Sequence, residues 1–373
     1  MLGPKHFIPF NNLGKTFDTH KDKIFDLWNE VGMTGQFAGG LNTKAFEDLC
    51  ALQSSRYYGI AVANATDGLY FALLAMGIDE DAEVLVPAYS YHATAEAIAK
   101  TGATPVFVDV DEYYHMELIR AEQLVTEKTK ALVFVNLFGD MMDVKKLKAF
   151  ASKHNLLILE DAAQSYGSEF NNLPSGCFGD ASVFSFDATK QLPGMGHGGC
   201  VVTNYPYIEE KVRMLALHGK HTDGKHYMLG HKSTISEFEA AQLVYFLENK
   251  DTFIKPRIAI AEFYNRHIWN PLIAKPLTRE TTTTHSWSKY VIRCDRRDDL
   301  REHLRHAGVE TQIHYKRLAP YEPVFGGLGG VTERILFLPY SYAYSQTSLS
   351  LPIYPELEME DLWCVTEALN SFR

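Results

Sequence analysis

Cysteine is scarce in this chain of 373 residues, and its five copies lie far apart. None of them forms a CxxC pair or another spacing typical of metal ligands, and an odd number cannot pair completely. We therefore expect neither a disulfide framework nor a metal site. Free thiols in a reducing compartment are the simplest interpretation of Cys50, Cys177, Cys200, Cys294 and Cys364.

Long hydrophobic runs are also missing, since no stretch approaches the roughly 18 uninterrupted apolar residues of a membrane span. The first 20 residues do not place an apolar segment after basic residues, as a secretory leader does. The 46 acidic and 36 basic residues are spread along the chain and leave a net charge of −10. This distribution argues against a nucleic-acid or membrane surface and predicts a cytoplasmic protein.

The apolar content is ordinary, at 46% of the residues, and the length suits two or three domains. Between about residues 57 and 203, short apolar runs alternate with stretches of helical pattern. The runs lack polar alternation, which is typical of strands buried on both faces of a parallel sheet. The predicted strands are 59–64, 83–87, 105–110, 130–136, 156–161, 182–186 and 200–204, and the predicted helices include 66–76, 93–101 and 144–154.

The later part of the chain differs in character. Residues 236–249 and 252–268 have the periodicity of amphipathic helices. After a connection at 272–287 come a strand (290–294), a helix (298–306), a strand (309–315) and a closing helix (359–372). The sequence predicts a large α/β domain over residues 1–250, with a mostly parallel sheet sandwiched by helices. A smaller α+β domain is predicted over residues 251–373.

Polar clusters follow three of the predicted strands, and open α/β sheets bind ligands beyond the carboxyl ends of their strands. The first cluster is EDAAQS, in which Asp161 ends a strand. A carboxylate there could keep the pyridinium nitrogen of an electron-sink cofactor protonated. An aspartate that only caps the next turn would leave the same pattern.

The second cluster, FSFDATKQLPGMGHGG at 184–199, places Lys190 between a buried strand and a glycine-rich segment. Most lysines are solvated surface charges. Partial burial, however, lowers the pKa of a lysine amine and keeps it nucleophilic, as a Schiff-base lysine requires. Ser185 and the glycines suit close approach of the backbone to a ligand.

The third cluster, NATDG at 64–68, opens a helix near Thr66. A helix N-terminus offers N–H groups and a positive dipole end to a phosphate, although a simple N-cap would look the same. Together the clusters supply a phosphate cradle, a pyridinium partner and a covalent anchor. That set is the inventory of a pyridoxal phosphate site.

Nearly the whole chain resembles the DegT/DnrJ/EryC1/StrS family of sugar-nucleotide and cyclitol aminotransferases, which are fold type I enzymes. The order and spacing of several motifs are distinctive. These motifs are FAGGLNTKAFEDL (37–49), VPAYSYHATAEAIAKTGATPVFVDVD (86–111), EDAAQSYGS (160–168), SFDATK (185–190), GGCVVTN (198–204), HG (218–219), ISEFEAAQL (235–243), HY (314–315) and LSLPIYPEL (349–357).

The resemblance implies pyridoxal 5'-phosphate as cofactor, with Lys190 as Schiff-base lysine and general base. Asp161 would pair with the pyridine nitrogen, Gln164 would lie beside the phenolic oxygen, and Tyr91 would stack on the ring. Family members are homodimers with sites at the interface, so a homodimer is implied. The other implied contacts are those of the phosphate with Ala65, Thr66 and Ser185, and those of the substrate with His314 and Tyr315.

The chain departs from the family where GHKSTISE (230–237) replaces the common pattern GxNxRMSE. Lys232 stands where an asparagine usually reaches the partner subunit's cofactor phosphate, and a lysine could do so with a full charge. A lysine on an exposed loop that touches only water is the alternative. Thr234 replaces an arginine often placed near the substrate. Ala65 replaces a common glycine, and His197 a common acidic residue.

The implied reaction moves an amino group from L-glutamate to a nucleotide-linked 4-keto-6-deoxy or 3-keto hexose, as in deoxyaminosugar and O-antigen polysaccharide biosynthesis. SFDATK resembles the SFDPxK pattern of enzymes that aminate C4, which favours that position. A cyclitol ketone is the first alternative substrate. A dehydratase is disfavoured because dehydratases of the family replace the lysine by histidine. Intact Lys190 and Asp161 argue against a regulator that binds the cofactor without turnover, which only an assay excludes.

Overall fold

The computed structural model describes residues 7–325 and 338–373. Single turns of 3-10 helix lie at Leu137–Gly139, Ala319–Tyr321 and Pro323–Phe325. The α-helices are α1 (Leu13–Thr34), α2 (Leu41–Gln53), α3 (Ala65–Ala75), α4 (His92–Lys100), α5 (Leu118–Glu122), α6 (Val144–His154), α7 (Pro206–Leu215), α8 (Glu237–Glu248), α9 (Asp251–His267), α10 (Arg297–His306), α11 (Pro339–Thr347) and α12 (Met359–Ser371).

The strands form three sheets. They are β1 (Tyr58–Val62), β2 (Glu83–Pro87), β3 (Thr104–Val108), β4 (Thr129–Val135), β5 (Leu157–Asp161), β6 (Glu169–Phe170), β7 (Leu173–Pro174), β8 (Ala181–Ser185), β9 (Gly199–Thr203), β10 (Thr282–Thr284), β11 (Tyr290–Arg293) and β12 (Ser348–Leu351).

The main sheet has seven strands in the order β1-β9-β8-β5-β4-β2-β3. Strands β8, β5, β4, β2 and β3 run parallel, whereas β9 is antiparallel to both of its neighbours, β1 and β8. Each of the seven predicted strands is present, and the predicted α/β fold with a mostly parallel sheet is confirmed. No helix of the described residues is both long and apolar enough to cross a membrane.

Side chains of the main sheet are buried on both faces because successive residues of a strand point in opposite directions. Val84 and Val86 of β2 join a core with α3, α4 and α7. Leu85, between them, joins the opposite core with α6. Nearer β1, helices α1, α2 and α8 cover that second face. Truncating a fully buried residue such as Leu85 to alanine should cost about 2–5 kcal/mol.

The C-terminal part has its own core, in which β11 and β12 pair antiparallel and pack with α9, α10 and α12. The predicted strand at 309–315 is wrong. Val309 forms a single bridge with Ile8, and Gln312 forms one with Ser350. Because the segment changes its partner within three residues, no continuous ladder forms. Strand β12 takes the place beside β11 instead.

Helix α9 joins the two parts of the chain. Its first turn, with Phe253, packs in the core under α8, while Ile260 and Tyr264 pack in the C-terminal core. A division into domains at residue 250 therefore stays a prediction, since this helix belongs to both cores. Residues 1–6 of the first predicted domain and 326–337 of the second lie outside the described residues.

Candidate active site

A cleft of about 430 Å³ opens at the carboxyl ends of β4, β5 and β8, where α3 and α4 begin. Of the ten residues predicted for the site, nine line this cleft and Lys232 does not. The nine are Ala65, Thr66, Tyr91, Asp161, Gln164, Ser185, Lys190, His314 and Tyr315. The fold therefore brings together residues that are up to 250 positions apart in sequence.

Lys190 lies in the connection between β8 and β9, with its backbone N–H bonded to the carbonyl of Asp187 at 2.9 Å. Burial lowers the pKa of the Lys190 amine, and the carboxylates of Asp161 and Asp187 partly oppose this shift. A lowered pKa increases the fraction of neutral amine, which is the nucleophilic form. The lysine is therefore suited to attack a carbonyl carbon.

Asp161 is the last residue of β5, and only 5% of it is exposed. One carboxylate oxygen accepts a hydrogen bond from the Thr94 hydroxyl at 2.7 Å, and the other accepts one from the Ala163 N–H at 3.1 Å. Burial raises the pKa of Asp161, while these two bonds and the charge of Lys190 lower it. The carboxylate is thus held in a fixed orientation at the floor of the cleft.

The N-terminus of α3 forms one wall of the cleft. Asn64 caps the helix, since its side-chain oxygen accepts from the Asp67 N–H at 2.8 Å. Gly199 lets β9 lie against this end, because a Cβ there would be 2.6 Å from the Asn64 carbonyl carbon. Ser185 pairs with Gly199 in the strand ladder. Ala65, Thr66 and Ser185 consequently surround a helix N-terminus that favours an anion.

The opposite wall carries aromatic and amide groups. The Gln164 side-chain amide donates to the Tyr315 hydroxyl at 2.9 Å, and its oxygen accepts from the Phe138 N–H at 3.1 Å. Tyr91 is 57% exposed, and its ring centroid lies 6.0 Å from that of Tyr315. His314 contacts the Ser350 hydroxyl through Nδ1 at 2.8 Å. These groups leave an aromatic face turned toward the cleft.

Lys232 is exposed and lies beside a different cavity, of about 280 Å³, which Thr234 also lines. It forms an isolated antiparallel bridge with Leu217. It therefore does not reach the cleft of its own chain, and its predicted contact with the cleft of a second subunit stays a prediction. His197, another departure from the family pattern, lines the cleft with Nδ1 3.1 Å from a carboxylate oxygen of Asp187.

Two further cleft residues, Ser288 and Lys289, are not among the predicted ones. Lys289 is only 9% exposed, and burial together with the charges of Arg257 and Lys190 lowers its pKa to about 7. The Ser288 hydroxyl is buried and has no hydrogen-bond partner among the described residues. The sequence gives little signal for this pair, because Ser288 and Lys289 end a mostly polar segment, TTTTHSWSK at 281–289, before β11.

The sheet topology and this cleft define an α/β enzyme with the architecture of fold type I pyridoxal-phosphate transferases. The model of the DegT/DnrJ/EryC1/StrS aminotransferase family matches residues 18–370, and the chain belongs to that family. Membership confirms the predicted family, the aminotransferase class and pyridoxal phosphate as the cofactor.

Individual relatives match the chain over almost its full length. A pleiotropic regulatory protein of Geobacillus stearothermophilus is 33% identical, over 98% of both chains. The dTDP-3-amino-3,6-dideoxy-alpha-D-galactopyranose transaminase of Aneurinibacillus thermoaerophilus is 32% identical, over 98% of this chain and 99% of its own. The crystal structure of DesV from S. venezuelae, in complex with a ketimine intermediate, matches with a TM-score of 0.92 and 31% identity over 98% of both chains.

Proposed function

We propose that this protein transfers an amino group from L-glutamate to the keto group of a nucleotide-linked deoxyhexose, as a step of deoxyaminosugar biosynthesis. The observation that carries the proposal is the convergence of Lys190 and Asp161 on one cleft beside the N-terminus of α3. The transaminase of Aneurinibacillus thermoaerophilus, whose name specifies a dTDP-linked amino sugar, supports the substrate class.

The residues of the cleft fit the parts of pyridoxal phosphate. Lys190 would hold the cofactor covalently through its amine, and Asp161 would pair with the ring nitrogen. The phosphate would lie at Ala65, Thr66 and Ser185, where the absence of a side chain at Gly199 keeps the helix end open. The remaining contacts would be stacking of Tyr91 on the ring and a hydrogen bond from Gln164 to the phenolic oxygen.

The bound cofactor supplies an electron sink for the charge left when a proton leaves the substrate's α carbon. Asp161 would pair with the ring nitrogen as a carboxylate, because the bonds from Thr94 and Ala163 stabilise its ionised form. Lys190 would move this proton, because burial lowers the pKa of its amine and so favours the neutral, basic form. The cleft wall with Tyr91, His314 and Tyr315 would position the substrate and limit access of water.

We further propose that the active form is a homodimer in which Lys232 reaches the cofactor phosphate of the partner subunit. Lys232 is exposed and lies outside its own cleft, so such a contact needs a second chain. Nearby, Leu229 is 97% exposed and Tyr227 is 59% exposed. Exposed apolar side chains of this kind are typical of a surface that a partner covers.

Two features of the substrate stay open within this proposal. The SFDATK pattern favours amination at C4, whereas the relative of Aneurinibacillus thermoaerophilus is named for a 3-amino sugar. A cyclitol ketone is the alternative acceptor. The second candidate function is regulation without turnover, which the name of the Geobacillus relative favours.

One experiment tests these alternatives together. The purified protein, loaded with pyridoxamine phosphate, is mixed with nucleotide-linked 3-keto and 4-keto hexoses and with cyclitol ketones, and the cofactor absorbance is followed. We expect rapid conversion by one nucleotide ketosugar, and the position of the new amine follows from NMR of the product. Conversion by cyclitol ketones alone would show that the acceptor is a cyclitol ketone and not a nucleotide-linked hexose. No conversion by any ketone, with cofactor firmly bound, would favour the regulator.

A further inference from the structure

Lys289 is a second lysine in the cleft, and it directly precedes β11. Its Nζ lies 3.4 Å from the carbonyl oxygen of Thr189, and no carboxylate of the described residues lies within the 4.0 Å of an ion pair. A buried ammonium group without a counter-ion is unfavourable. The position therefore favours an anion brought by a ligand.

The charged groups around Lys289 add to this preference. Burial and the positive charges of Arg257 and Lys190 lower the pKa of Lys289. The negative charge of Asp187 raises this pKa, but by less than the other effects lower it. The pKa of His314 is lowered to about 3, chiefly by burial, so its imidazole is neutral at physiological pH. An anion bound at Lys289 would therefore lie near two cations, Lys190 and Arg257, and one carboxylate, Asp187.

Ser288 provides an independent sign of a missing ligand. Ser288 lines the same cleft and is 2% exposed, and its buried hydroxyl has no hydrogen-bond partner among the described residues. Buried hydroxyl groups nearly always have partners. A carboxylate has two oxygens, so it could accept from the ammonium of Lys289 and from the hydroxyl of Ser288 at once.

The cofactor phosphate is a poor candidate for this anion, since its proposed cradle is the N-terminus of α3. Lys289 lies instead beside Thr189 and near His314, one of the residues proposed to meet the substrate. We propose that Lys289 and Ser288 bind a carboxylate group of a substrate. The inference rests on the aminotransferase function above. The carboxylate belongs either to the amino donor or to a uronic acid of the nucleotide sugar.

The test measures binding to the holoenzyme by calorimetry, so that it does not depend on turnover. Glutarate represents the donor carboxylates without a transferable amine. UDP-glucuronate, compared with UDP-glucose, represents a sugar carboxylate. The variants are Lys289→Met, Lys289→Arg and Ser288→Ala, and the matched control is Lys130→Met, which removes an exposed lysine of β4.

We expect Lys289→Met to weaken binding of one of the two carboxylate ligands by about tenfold or more, through loss of a charge-assisted hydrogen bond. Lys289→Arg should retain most of the affinity, Ser288→Ala should lose less than Lys289→Met, and Lys130→Met should lose none. Loss for glutarate assigns the amino donor, and loss for UDP-glucuronate but not UDP-glucose assigns the sugar. Folding of Lys289→Met is not at risk, because the change removes a buried charge.

Unchanged affinities in Lys289→Met, or a wild-type protein that binds neither carboxylate ligand, would overturn the inference. A loss confined to cofactor affinity would overturn it too, since Lys289 would then serve the phosphate. Failure of the proposed function is distinguishable from failure of this inference. If the wild-type protein aminates no ketosugar but Lys289→Met still weakens glutarate binding, the carboxylate site is supported and the proposed reaction is rejected.

Discussion

The hydroxyl of Thr94, in the first turn of α4, donates a hydrogen bond of 2.7 Å to the carboxylate of Asp161 at the end of β5. The bond ties a helix to the central strand of the sheet at the floor of the cleft. It also favours the ionised carboxylate, against the burial that raises the pKa of Asp161.

Thr94→Val should therefore raise the pKa of Asp161 further and slow the reaction with L-glutamate by about tenfold, or roughly 1.4 kcal/mol. Because ionised Asp161 is the active form, the acid limb of the pH–rate profile should move to higher pH. Stopped-flow absorbance of the cofactor across pH 5–9 would measure both effects. Thr94→Ser, which keeps the hydroxyl, is the control, and a valine variant with an unmoved acid limb would contradict the role.

Replacing the carboxylate itself should have a larger effect. Asp161→Asn should still bind the cofactor but react at least about a hundredfold more slowly, a barrier increase of roughly 2.7 kcal/mol or more. The neutral amide can no longer stabilise a protonated ring nitrogen. Single-turnover rates with L-glutamate would decide the point. A loss below about tenfold would mean that another group, or none, performs this task.

Two lysines of the described residues, Lys190 and Lys289, line the cleft, and only Lys190 should attach the cofactor. Lys190→Ala should lose covalently bound cofactor and turnover while its circular dichroism stays normal. Lys289→Met is the matched control and should keep the attachment. Borohydride reduction followed by peptide mass spectrometry would locate the modified lysine directly. Near-normal transamination by a folded Lys190→Ala protein would reject the assignment.

Lys232→Ala should weaken cofactor retention by roughly 1.5–3 kcal/mol, as expected for loss of a charged hydrogen bond. The loss should grow on dilution, because the proposed contact exists only in the dimer. Equilibrium dialysis at several protein concentrations would show this dependence. Lys145→Ala, which removes an exposed lysine of α6, serves as control. Unchanged cofactor affinity would indicate that Lys232 lies on a solvated loop and does not contact the phosphate.

Asp140 should make stability depend on pH. Burial raises its pKa to about 7 from 3.8, and one carboxylate oxygen has no hydrogen-bond partner among the described residues. The folded state then keeps a proton that the unfolded state releases, so stability falls as pH rises from about 4 to 7. Asp140→Asn should remove that fall and stabilise the protein at pH 8 by roughly 1–3 kcal/mol.

Urea unfolding at pH 4 and pH 8 would measure the difference between the two proteins. The gap should be small at pH 4, where wild-type Asp140 is protonated in the folded state and still partly protonated in the unfolded state. A variant that is less stable than wild type at pH 8 would show that the ionised carboxylate is favourable after all.

The sequence predicted the strands of the main sheet and the positions of Lys190 and Asp161 at strand ends because both depend on local patterns, whereas Tyr91, His314 and Tyr315 came only from the family resemblance. Unbroken apolar runs mark buried strands, and Lys190 and Asp161 stand directly after two of them. The predicted strand at 309–315 was wrong because apolar and polar residues alternate there as in a strand. Its actual pairing depends on the positions of Ile8 and Ser350, which the local sequence does not give.

The sequence alone did not predict contacts between residues that are far apart in the chain. Nothing in the local pattern links Thr94 with Asp161, which are 67 positions apart. Lys289 looked like an ordinary lysine at the start of a strand, since burial without a counter-ion is a property of the assembled cleft. The position of Lys232 relative to a second cleft depends on a partner chain, which a single sequence does not place.

The antiparallel strand β9 has a consequence for biosynthesis on the ribosome. Within the main sheet, β1 pairs with β9 alone, which lies about 140 residues later in the chain. Until residues 199–203 have left the ribosome, β1 has no neighbouring strand. The N-terminus of α3 also lacks Gly199, which packs against it in the folded protein. Strands β2 to β5 can pair with one another earlier, but β1 must wait for β9, and capture of the cofactor is a late event of synthesis.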